Sequence, residues 1–115
     1  MANNFKNAKV DLTATSVTTL YTAGSATTAI FRSILVSNDS GSDDTITLTL
    51  TNGSDVFSIY KTKAITANNT NELLTQPLVV GETEILKVTA ATANRLHVVA
   101  SIQELALHRT PQSAL

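Results

Sequence analysis

Between Thr45 and Thr51 apolar and threonine residues alternate without a break, Thr45-Ile46-Thr47-Leu48-Thr49-Leu50-Thr51. Successive side chains of a strand point to opposite faces, so this spacing predicts a strand with one buried face. Asn52-Gly53 follows, and then Val56-Phe57-Ser58-Ile59-Tyr60. An Asn-Gly pair between such runs signals a tight hairpin, because a type I′ turn needs positive φ at both central residues. A β-hairpin is therefore expected over about residues 45–61. Upstream, residues 29–37 are apolar on both faces, with Ile30, Ile34 and Val36 on one side and Phe31 and Leu35 on the other. That pattern predicts a strand that is central or lies under a partner subunit. The run between them, Asn38-Asp39-Ser40-Gly41-Ser42-Asp43-Asp44, consists of turn formers and reads as a surface loop.

The C-terminal half repeats the theme. Residues 85–89 and 96–102 are rich in β-branched side chains and are joined by the small-residue turn Ala90-Ala91-Thr92-Ala93-Asn94, so they are expected to pair antiparallel. Shorter strands are expected at 17–21, 71–74 and 5–12. Pro77 marks Leu78-Val79-Val80 as an edge or a connection. Only residues 103–107 could be helical, and that segment is too short to be stable alone. The sum is an all-β chain, an antiparallel β-sandwich or jelly-roll-like barrel of about seven or eight short strands. Residues 1–12 form an N-terminal arm or first strand, 13–105 the sandwich, and 106–115 a tail that orders only when docked.

Composition narrows the function. A chain of 115 residues holds one core, and with 4% aromatic residues that core is built from Val, Ile, Leu and Ala. A thin core without disulfides is reinforced by neighbours, which points to a homo-oligomer or many-copy assembly. The net charge of −1, with 15% charged residues, provides no field for nucleic acid or an acidic membrane surface. The cations Lys6, Lys9, Lys61, Lys63, Lys87, Arg32, Arg95 and Arg109 are scattered, and only Lys61 and Lys63 share a strand face. No cysteine is present, which removes thiolate nucleophiles and thiolate-bound zinc. The N-terminus has no apolar signal region and no stretch is long enough to span a bilayer, so a soluble protein of a cytoplasm is expected.

Candidate chemistry is sparse, and no catalytic, cofactor-binding or metal-binding residue is assigned. His97 shares a face with Arg95, Val99, Ser101 and Gln103 and points away from the apolar side, a surface or interface position. His108 stands beside Arg109 in the tail with nothing local to orient it. Asp39, Asp43 and Asp44 could offer oxygens to calcium, but their spacing lacks the ladder of an EF-hand, and a solvated loop is the stronger reading. Glu82 and Glu84 flank a turn after Gly81 and read as surface charge. The triplets beginning at Asn38, Asn52 and Asn68 fit a glycan acceptor pattern that arises by chance in so Asn-, Ser- and Thr-rich a chain. The threonine ladder is of the kind seen on ice-binding and adhesin surfaces, yet β-propensity alone selects it. With no Trp and only Tyr21 and Tyr60, lectin-like aromatic platforms are scarce.

The stretches Thr18-Thr19-Leu20-Tyr21-Thr22-Ala23, residues 29–38, and 86–90 through 96–104 together resemble small virion proteins of tailed bacteriophages, over roughly residues 18–105. The resemblance is one of strands and turns and brings no site residues. It implies a non-catalytic β-sandwich present in many copies on a virion assembled in the host cytoplasm. The leading expectation is a capsid decoration or cement protein that contacts the major capsid protein or other virion proteins. A tail, neck or baseplate ring is the alternative, and a glycan-binding module using loop 38–44 is a third.

Overall fold

The computed structural model describes residues 2–106, with side chains from residue 4 onward. It contains nine strands: β1 (Ala2–Asp11), β2 (Thr18–Thr22), β3 (Thr27–Asn38), β4 (Asp44–Asn52), β5 (Asp55–Ile65), β6 (Asn69–Glu72), β7 (Leu78–Val80), β8 (Ile85–Ala90) and β9 (Leu96–Ala106). They form two antiparallel sheets packed face to face. The larger has the order β1-β9-β3, with β6 and β7 sharing the far edge of β3, and the smaller has the order β2-β8-β4-β5. Leu86, Val88 and Ala90 of β8 and Leu96, Val98, Ala100 and Ile102 of β9 are buried between them, with Phe31, Ile34, Val36, Ile46 and Leu48. The core is aliphatic save for Phe31 and Tyr21, whose rings meet edge to face at 5.2 Å.

Several expectations are corrected. The segments 85–89 and 96–102 do not pair. β8 lies between β2 and β4 while β9 lies between β1 and β3, so the turn that joins them crosses from one sheet to the other. Their apolar faces oppose each other across the core instead of lying side by side. The possible helix at 103–107 is, up to Ala106, the end of β9, held in the ladder by Ala2 to Phe5 on one side and Thr27 to Ile30 on the other. The hairpin is present, but its turn residues are Gly53 and Ser54, closed by the pair Asn52 and Asp55. Only Gly53 has positive φ (63°), which makes the turn type II′ rather than I′ and makes Gly53 the position that needs glycine.

β3 is central, and its two-sided apolar pattern has a local cause. A bulge between Phe31 and Ser33 inserts Arg32 as an extra residue, so Ala29 and Phe31 before it and Ile34 and Val36 after it all face the core. Only Ile30 and Leu35 are left outward. A second bulge between Thr19 and Tyr21 buries both Leu20 and Tyr21 in the same way. Where neither β6 nor β7 covers the edge of β3, Glu72 stands in for a strand. Its carboxylate accepts the Ile34 N–H at 2.7 Å and the Leu74 N–H at 3.1 Å, and the Leu73 N–H donates to the Ile34 carbonyl at 2.9 Å.

Candidate interaction surface

The outward side chains of the larger sheet form rows across the strands. Register places Phe5, Gln103, Ile30 and Val79 in one row, Asn7, Ser101 and Ser33 in the next, then Lys9, Val99 and Leu35, and last Asp11, His97 and Ser37. Phe5 is 70% exposed and Val79 56%, at the edges of the first row. The hairpin of β4 and β5 comes to the same end of the sandwich. Phe57 is level with Leu50, Leu86 and Tyr21, and Tyr21 donates its hydroxyl hydrogen bond to Glu104 of β9, beside Asn4. There Val56 and Phe57 project with 61% and 55% exposure. Phe5, Val56, Phe57 and Val79 thus give this hairpin end an apolar character.

Tyr21 anchors that end from inside. Burial, then its hydrogen bond to Glu104 and the charge of that carboxylate, push the phenol well above the ordinary tyrosine range. Lys6 lies over the same group, its Nζ 3.5 Å from Glu104 Oε2 and 6.0 Å from the Tyr21 ring centroid. An inward-facing lysine on an edge strand is thereby held by a carboxylate and a ring face.

The opposite, loop end is polar and knitted together. Asn38 is buried, donating from Nδ2 to the Ser42 and Ile65 carbonyls while its Oδ1 accepts from Ser40 N and Oγ. This excludes it as a glycan acceptor in the folded chain. Asp44 is also buried and accepts the N–H groups of Thr45 and Thr92. Asp43 accepts from Ala67 N through its carboxylate and from Arg95 through its backbone carbonyl. The loop predicted over 38–44 is therefore a surface loop whose two ends are buried polar anchors. Its carboxylates diverge toward separate donors, and among the described residues no three His, Asp or Glu groups converge as metal ligands.

His97 faces outward, as its strand phase predicts, in a shallow depression it shares with Lys9, Asp11 and Val99. Its Nδ1 is 2.9 Å from Asp11 Oδ1 and its Nε2 3.1 Å from Asp39 Oδ2, so one ring ties the end of β1 to the loop after β3. Both contacts are full hydrogen bonds only when both nitrogens carry protons. Neither Asp11 nor the pairing with Asp39 is readable from local sequence, since both partners lie far from His97 along the chain.

On the smaller sheet Thr45, Thr47 and Thr49 do face outward, beside Thr89 and Lys87. Thr51 instead is buried, with its hydroxyl unpartnered. Lys61 and Lys63 do not share a face. The ladder shifts between the partners of Ile46 and Leu48, and Thr62 takes a positive φ of 50°. The extra residue sets Lys63 on the side of Tyr60, its Nζ 5.2 Å from that ring. Glu84 is tied into its turn, accepting the Gly81 N–H at 2.7 Å, and Glu82 is also engaged. His108, Arg109 and the rest of the tail from residue 107 lie outside the described residues.

No family model matches the chain, and no curated protein matches it. Two solved structures of infectious bursal disease virus contain chains of related outline. A chain of the Gt strain aligns at 10% identity and a TM-score of 0.44, covering 94% of this chain and 31% of its own length. One of the Gx strain aligns at 13% identity and a TM-score of 0.38, covering 99% of this chain and 44% of its own. This chain therefore spans less than half the length of either viral chain, and similarity of this grade carries no functional inference.

Proposed function

We propose that this protein is a non-catalytic structural component of a virion, and within that class a decoration protein that docks on the capsid lattice of a tailed bacteriophage and stabilises its head. The observation that carries the reading is the concentration of exposed apolar side chains toward the hairpin end, where Phe5, Val56, Phe57 and Val79 are each more than half exposed, while among the other large apolar residues described only Val17 is exposed to that degree. Isolated apolar side chains on a surface are ordinary, but several gathered at one end mark a contact surface. Docked in many copies, modest contacts of this kind add up through multivalency. The resemblance to small phage virion proteins supports the choice of particle. A glycan-reading role for loop 38–44 has less support, because Asp39, Asp43 and Asp44 are already engaged within the fold.

Immunogold labelling of intact particles whose genome encodes the chain tests the proposal. Label spread over heads is the expected result. Label confined to tails or the neck would replace decoration by a ring-forming role, and particles that remain unlabelled, with a negative blot of denatured virions, would overturn the virion reading.

A further inference from the structure

The two sheets expose strand edges, and these differ in how they are protected against pairing with another chain. β2 has five residues and a bulge, β6 has four residues and β7 three. β5 is long but is broken by two register shifts and by the positive φ of Thr62. β1 is neither short nor bulged, and its one charge on the inner face, Lys6, is matched within the same chain by Glu104. Its ten residues pair with β9 in one unbroken register from Ala2 to Asp11, it contains no proline, and among the described residues no strand covers its other edge. Asn4 to Asn7 are exposed on both faces of the strand. A long regular edge with free N–H and C=O groups is a template for another extended strand.

We propose that the strand it takes is β1 of a second copy, antiparallel about a two-fold axis at Asn7, so that the two larger sheets join edge to edge. Residues opposite each other across such an axis must lie on the same face, which allows only registers whose two residue numbers share parity. Centring on Lys6 would set two lysines face to face, and centring on Ala8 would set Phe5 opposite the carboxylate of Asp11. Centring on Asn7 places Phe5 against the aliphatic stem of Lys9 and Asn4 against Val10, and it separates the two copies of Lys6 by putting each opposite Ala8. It also aligns the outward rows. The Val79, Ile30, Gln103 and Phe5 row of one copy runs on into the Lys9, Val99 and Leu35 row of the other, giving the exposed Phe5 a cross-strand neighbour. The interface is isologous, as a closed dimer requires. It goes beyond the particle reading and is independent of it, since it can be measured on the purified chain.

The test is the mass of the full-length chain by sedimentation, together with single cysteines in a chain that has none of its own. A concentration-dependent dimer is expected. Asn7→Cys should cross-link to its copy with a short bismaleimide, because opposite Cα atoms lie about 5 Å apart. Lys9→Cys should not, being offset by roughly 13 Å from its own copy along the strand. Phe5→Lys puts like charges opposite each other twice in the dimer and should weaken association about tenfold. Lys9→Glu added to that variant should restore association, a rescue that a merely misfolded chain would not show. A chain monomeric at every concentration, a dimer that cross-links through Lys9→Cys instead of Asn7→Cys, or a Phe5→Lys defect that Lys9→Glu leaves unchanged would each overturn the proposal. A dimer with unlabelled virions would keep this inference and remove the particle reading.

Discussion

At the loop end of the sandwich Asn38 is 1% exposed and its amide makes hydrogen bonds to Ser40, Ser42 and Ile65, whereas at the hairpin end Phe57 is 55% exposed although its strand phase directs it toward the core side. Polar side chains at the first end replace missing backbone partners and close loops over the core. At the second, apolar side chains stand outside the core, Phe5 and Val79 on the outer face of the larger sheet and Phe57 at the margin of the inner one. The difference teaches where each class of residue acts: the polar residues hold the fold, and the apolar ones are left for contact with something else.

The sharpest way to break that contrast is to empty the loop end. Asn38→Ala removes four hydrogen bonds and leaves the Ile65 carbonyl without its donor, and it should destabilise the fold by about 3 kcal/mol in urea denaturation. Asp44→Ala strips the acceptor from Thr45 N and Thr92 N and should lower stability by about 1–2 kcal/mol in the same assay. Glu72 sharpens the comparison through pH. Burial opposes its ionisation, but hydrogen bonds from Ser33, Ile34 and Leu74 outweigh it and hold the carboxyl below the usual glutamate range. The stability this contributes is therefore present above that range and is lost as pH falls through the folded-state value. Urea midpoints between pH 7 and pH 3 should fall less steeply for Glu72→Gln than for the native chain. The smallest effect on folding belongs to the hairpin end, where Phe57→Ser should change stability by no more than about 0.5 kcal/mol while weakening attachment to particles in a co-sedimentation assay.

Much of this architecture was legible in the chain. The alternation from Thr45 to Leu50 located β4 and its inner face, and the glycine after Asn52 located the hairpin, because period and turn chemistry are local properties. Sheet membership was not legible for β8 and β9. A turn of their spacing serves equally to reverse a strand within a sheet or to carry it across the core, and the choice is made by partners distant in sequence. Bulges were equally hidden, since an inserted Arg32 or Thr62 looks like any other residue while it shifts the phase of everything beyond it. Of the candidate surface, the outward direction of His97 followed from its strand, and its two aspartates did not. The exposure of Phe57 was also unreadable, because its strand phase, opposite Leu50, is that of a core residue.

The bulge at Arg32 has a consequence for how this gene can change. Substitution there is cheap for the core, because the side chain is exposed and hydrogen-bonds to Gln103 on the outer face. Deletion is cheap for the phase as well: losing that one codon removes the bulge and leaves Phe31 two residues from Ile34, so strict alternation keeps Ala29, Phe31, Ile34 and Val36 all inward in the same register with β9. The position acts as a comma in the strand, which can be reworded or dropped without changing the sense, so variation at residue 32 should be rich in amino-acid types and open to gaps, whereas a gap at Leu35 would set Ile34 and Val36 on opposite faces.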